Sequence, residues 1–122
     1  MDRQHRLRRQ RDIDRVYREG RVFTHPLLTL RVRPNECGYP RLAVVAGKRL
    51  GKAVVRNRVR RRLREALRQL PLQPGHDLLV VARPPVVEAP FAELVTALRV
   101  LLARARLLGG SPLDRPMAAF PP

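Results

Sequence analysis

Seven arginines crowd into residues 53–70: Arg56, Arg58, Arg60, Arg61, Arg62, Arg64 and Arg68. A guanidinium is a planar fork of donors that matches a phosphate bidentately. The one acid in the stretch is Glu65, within reach of Arg61, Arg62 and Arg68 if the segment is helical. On a helix the pairs Arg56/Arg60, Arg58/Arg62, Arg60/Arg64 and Arg64/Arg68 all set like charges at i,i+4, each repelling by about 0.2–0.5 kcal/mol. A solvated helix face usually mixes signs. One that does not is expected to find its counter-charge in a polyanion such as a nucleic-acid backbone, with a plain solvated face as the alternative. Asn57 sits inside the cluster, and Lys48, Arg49 and Lys52 extend it toward the N-terminus.

Other chemistry finds little support. His5, His25 and His76 are scattered through loop-like segments, and no His, Cys, Asp or Glu spacing suits a metal. The acids are few and dispersed, so no carboxylate pair for acid–base work stands out. "GKRLGKA" (47–53) superficially matches a phosphate loop. It fails, because its second glycine is one residue too close and Ala53 replaces the hydroxyl that would bind magnesium. Cys37 is alone, unframed by a base, and fits a reduced intracellular setting. Tyr17 could stack a base or pack on a sheet; spacing alone leaves both open.

Elements must hold these side chains. Val55, Val59, Leu63, Ala66, Leu67 and Leu70 fall within an arc of about 120° at helical periodicity. A helix therefore runs from about residue 53 to Pro71, with Asn57, Arg61, Arg64 and Arg68 opposite the apolar arc and Arg58 on its flank. Arg56 and Arg62 lie nearer the edges and need partners or outward heads. Residues 1–11 are basic and expected to be an irregular arm. A short helix follows, with Asp12 as N-cap, Ile13, Val16 and Tyr17 on one face, and Gly20 at its end. Arg21–Thr24 is a short strand. "PLLTLRVR" (26–33) alternates apolar and polar, as a half-buried strand does. "LAVVA" (42–46) and "DLLVVA" (77–82) read as buried strands. A last helix covers about 90–108, with Phe91, Leu94, Val95, Leu98, Leu101, Leu102 and Ala105 on one face and Gly109–Gly110 as its stop. Residues 111–122 read as a disordered tail after one domain, 1–110.

The order is α-β-β-β-α-β-α, an α+β sandwich of one sheet against two long helices in two layers. Its strand–helix–strand unit at 41–82 implies a parallel pair. The 122 residues carry 26 basic and 10 acidic side chains, a net charge of +16. That charge points to a polyanion or a membrane surface. No apolar run approaches the length that spans a bilayer, and no secretory h-region follows the basic start. A cytoplasmic protein with no membrane contact is expected. The basic residues are almost all arginine, a bias that genomic base composition also produces, so it carries little functional weight.

"GKRLGKAVVRNRVRRRLRE" (47–65) resembles the signature of the bacterial ribonuclease P protein family, in which Arg56, Asn57 and Arg58 match the motif that its "RNR" names. "RLRRQRDIDRVYREG" (6–20) is similar to that family's first helix, and "HDLLVVARPPV" (76–86) to its last strand and exit. The resemblance implies a fold like domain two of ribosomal protein S5, with a left-handed crossover where general rules favour the right-handed one. It also implies a ribonucleoprotein that removes the 5′ leader of precursor tRNA. The RNA subunit would do the chemistry with magnesium, and the protein would bind no cofactor. Lys48, Arg49, Lys52, Arg56, Asn57, Arg58, Arg60, Arg61, Arg62, Arg64 and Arg68 would meet the ribonuclease P RNA. Ile13 and Tyr17, where the family often has two phenylalanines, would line the leader cleft with Arg9, Arg11 and Arg31. No obligate protein partner is implied. A ribosomal or ribosome-assembly RNA-binding protein is the alternative. A helix-turn-helix DNA binder would need a helix where the sequence offers a strand. A membrane-surface helix would need aromatic anchors that 55–70 lacks.

Overall fold

The computed structural model describes residues 6, 7 and 9–108, so the expectations for the far N-terminus, the Gly109–Gly110 stop and the tail lie outside the described residues. Three helices and four strands follow the expected order: α1 (Gln10–Glu19), β1 (Arg21–Thr24), β2 (Leu28–Pro34), β3 (Arg41–Val45), α2 (Ala53–Arg68), β4 (His76–Ala82) and α3 (Phe91–Arg104). Short 3₁₀ turns at Lys48–Leu50 and Pro84–Glu88 lead into α2 and α3.

The sheet runs β1-β2-β4-β3. β1/β2 and β2/β4 are antiparallel, and β3/β4 is the expected parallel pair, with Leu42 beside Leu78 and Val45 beside Val81. The period-two pattern of β2 sends Leu28, Leu30 and Val32 to one face, where Leu78 and Val80 of β4 join them. There α2 contributes Val59, Leu63, Ala66 and Leu67, and α3 contributes Leu94, Leu98, Leu101 and Leu102. The two long helices thus share one face, as the two-layer reading requires. A third, partial layer was not foreseen: α1 lies on the opposite face, where Val16, fully buried, packs with Leu7 and Leu79.

Several boundaries differ from the sequence reading, each for a local reason. α1 begins at Gln10, so Gln10 and Arg11 are helical and Asp12 lies in the first turn instead of capping it. Asp12 is occupied otherwise, 3.5 Å from an Arg41 guanidinium nitrogen. Part of the arm is also ordered: Leu7 is buried, its N–H donates to the Leu42 carbonyl at 2.7 Å, and Arg6 bridges to Leu42 in parallel. β2 starts at Leu28, not Pro26, because His25 and Leu28 exchange backbone hydrogen bonds and His25 Nδ1 accepts from the Leu27 N–H. α3 ends at Arg104, four residues early. Arg106 takes φ 60°, its N–H donates to Ala103 and that of Leu107 to Leu102, the paired bonds of a Schellman stop. β3 is only half buried at Ala43, Val44 and Val45, because it is the sheet's outer strand beside an open trough.

Candidate nucleic-acid interface

α2 separates its arginines by role. Arg58, Arg61 and Arg68 are exposed with Asn57, and Arg68 lies 3.4 Å from Glu65. Arg60 is half-buried; it donates to Asn57 Oδ1 at 2.7 Å and to the Ala46 carbonyl at 3.3 Å. Arg62, predicted to need a partner, donates to the Ala89 carbonyl ahead of α3. Arg56, the other edge residue, buries its Nε without a hydrogen-bond partner. Arg64 departs from its expected place opposite the core: it is half-buried and reaches over β3. Burial, and then the charges of Arg6 and Arg60, hold its guanidinium below the ordinary arginine range. Lys48, Arg49 and Lys52 are exposed on the connector before α2. Val54, at the start of the helix, is 78% exposed. No side chain caps this helix, and its first turn holds no acid, so its N–H groups and positive dipole end add to the same basic surface.

The second half of the interface is the sheet face under α1. There Tyr17, 40% exposed, shares an open cleft of about 550 Å³ with Val45, Arg49, Val81, Arg83 and Pro84. Arg31 stacks over the Tyr17 ring with its guanidinium carbon 4.6 Å from the centroid, and its Nη1 donates to the Tyr17 carbonyl at 3.0 Å. The Tyr17 ring is not core: it is part exposed, carries a stacked guanidinium and borders the cleft. Ile13 is half-buried against Ala43 and Val45, and borders a second cavity of about 260 Å³ with Arg6, Leu7 and Arg64. Both cavities border Val45, and together they are the trough beside β3. Arg9 and Arg11 are exposed at the start of α1 and line neither cavity.

Sequence reasoning missed Arg6, Arg83, Val45 and Val81 as trough residues. Val45 and Val81 lie in segments that read only as buried strands, and nothing local says that one of their faces is left partly uncovered. Asp77 was also missed as a fixed point. It is 2% exposed and accepts from Arg41 Nε at 2.8 Å, Arg41 Nη2 at 2.7 Å and Asn35 Nδ2 at 2.7 Å. These bonds raise the Arg41 pKa further above an already basic value. Through Asp12, the same guanidinium ties α1 to the sheet. Among the described residues, no group of three His, Cys, Asp or Glu could hold a metal, and no helix is long and apolar enough to cross a membrane.

A mixed four-stranded sheet, a covered face under two long helices and a basic trough under a short one define a small α+β protein built around one cationic surface. The chain belongs to the ribonuclease P protein family, whose description, Ribonuclease P, matches residues 1–106. It is 45% identical to the ribonuclease P protein component of Chloroflexus aggregans, over 100% of this chain and 92% of that protein. It is 40% identical to that of Roseiflexus castenholzii, over 95% and 98%. Among solved structures, the RNase P protein of Staphylococcus aureus superposes with a TM-score of 0.77 at 25% identity, covering 86% of this chain and 98% of that one. The protein from Thermotoga maritima gives 0.75 at 30% identity, covering 81% and 96%. As a protein component of ribonuclease P, the chain is one part of an endoribonuclease of tRNA processing, and its partner is the ribonuclease P RNA.

Proposed function

We propose that this protein docks on the ribonuclease P RNA through the outward face of α2 and the Lys48–Lys52 connector, and holds the single-stranded 5′ leader of precursor tRNA in the trough beside Tyr17. The observation that carries the reading is the trough itself. It combines an exposed aromatic ring, an apolar floor and arginines, as single-strand binders do, and base–aromatic stacking is worth about 1–3 kcal/mol per base. Arg58, Arg61, Lys48, Arg49 and Lys52 supply phosphate contacts to the RNA subunit. Arg60 and Arg62 keep that surface in register through their own hydrogen bonds to the fold. Hydrolysis would belong to the RNA subunit, where bound magnesium would supply Lewis-acid chemistry. The protein's own part is to bind and orient. The work is cytoplasmic, where precursor tRNA is made.

RNA-free protein should leave precursor tRNA intact, and adding the RNA subunit with magnesium should give cleavage at the 5′ side. In that holoenzyme, Tyr17→Ala should weaken precursor tRNA about tenfold, the equivalent of about 1.4 kcal/mol, and leave mature tRNA unchanged. Cleavage by the protein alone, or an equal loss on both tRNAs, would overturn the reading.

A further inference from the structure

The far end of the trough carries charge in place of an aromatic ring. Arg64 reaches over β3 from α2, and Arg6 is held to the same strand by its bridge to Leu42 and by the Leu7–Leu42 hydrogen bond. The two side chains line one cavity floored by Leu7, Ile13, Ala43 and Val45. None of its lining residues is acidic. The nearby acids are engaged elsewhere: Asp12 with Arg41, Asp14 with Gln10, and Glu65 with Arg68. Two guanidiniums that line one apolar-floored cavity repel each other, and a phosphate between them relieves that repulsion.

We propose that Arg6 and Arg64 clamp one backbone phosphate of a single-stranded nucleic acid, with its sugar and base lying on Ile13, Ala43 and Val45. The inference rests on the proposed leader-binding reading and extends it: Ile13 cannot stack, so this end of the trough binds by charge while Tyr17 binds by stacking. The cavity beside Tyr17 and this one share Val45 on their borders, so the phosphate is assigned to the leader that passes Tyr17. The other source of the same chemistry is a phosphate of the ribonuclease P RNA.

The test is a double-mutant cycle in the reconstituted holoenzyme with Arg6→Gln, Arg64→Gln and both. It reads affinity for precursor tRNA with a long leader and with a leader cut to a single nucleotide, and the protein's affinity for the RNA subunit. Each variant should weaken the long-leader substrate about tenfold at low salt. The pair should lose less than the product of the single losses, because both arginines serve one phosphate. The salt slope should shrink by about 0.7–1 for the shared contact. Short-leader binding should not change. Losses confined to the RNA-subunit arm would assign the phosphate to that RNA and overturn the leader clamp. Independent, multiplicative losses would overturn the shared phosphate. Tyr17→Ala is the control: if it discriminates long from short leaders and the arginine variants do not, the clamp alone is wrong. If none discriminates, the leader reading fails with it.

Discussion

At the scale of single residues, an arginine's value depends on what its guanidinium touches. Arg58 is exposed, whereas Leu63 is fully buried three residues above Arg60 on the same helix. Arg58→Ala should leave the unfolding free energy within about 0.5 kcal/mol of the parent yet weaken binding to the ribonuclease P RNA. Leu63→Ala should cost about 2–5 kcal/mol through the cavity it leaves. Urea melts and a filter-binding titration read the two effects separately, and an Arg58→Ala protein that binds as the parent does would remove that side chain from the interface. Asp77 makes the opposite case, a charge whose work is structural. Asp77→Asn keeps the shape but leaves Arg41 with a neutral partner. Breaking a buried pair costs about 3–5 kcal/mol, and because Arg41 is partly solvated the low end is expected in a urea melt. The sign of the pH effect follows from the raised Arg41 pKa. Its contribution is complete at every pH below the ordinary guanidinium value and fades only as pH climbs through the raised one. Neutral and mildly alkaline buffers should therefore leave this pair's contribution flat.

At the scale of elements, the hinge between α1 and the sheet is Gly20. The sequence marks it as a helix stop, but the reason differs from the usual left-handed cap. Its φ is −76°, and its N–H donates to the Val16 carbonyl. What the position requires is room: a Cβ there would stand 2.5 Å from the Val16 carbonyl oxygen and 3.0 Å from that of Val32, both backbone atoms that cannot swing aside. Gly20→Ala should cost about 1–3 kcal/mol and lift the end of α1 that carries Tyr17. Thermal melts and long-leader affinity should fall together; an unchanged melt would mean that α1 is free to shift. The same scale shows what periodicity can and cannot read. The apolar arcs of α2 and α3 were legible because each helix buries one stripe against one sheet face. The early end of α3 was not, since Arg106 adopts a left-handed conformation with no glycine to signal it.

At the scale of the whole molecule, a net charge of +16 acts on stability and binding with opposite signs. The free protein repels itself, so added salt should raise its melting temperature, sulfate more than chloride. Binding to RNA should weaken over the same range, with a log–log slope of about −0.7 to −0.9 for each phosphate neutralised. Calorimetry and titration in matched buffers check both. A melting temperature indifferent to salt would mean that the arginines are already compensated within the fold.

By itself, the sequence determined the element order, the parallel β3/β4 pair, the buried stripes and the basic helix. Each of these rests on short-range periodicity or on local composition, which a linear chain displays openly. Only the tertiary structure decided that α1 forms its own layer, that Tyr17 faces a cleft with Arg31 stacked on it, and that Arg6 meets Arg64 across β3. Those contacts join residues from separate elements, and they depend on how the sheet twists and which part of its second face α1 leaves open. An alternating strand pattern states that two faces differ; what covers each is settled by packing alone.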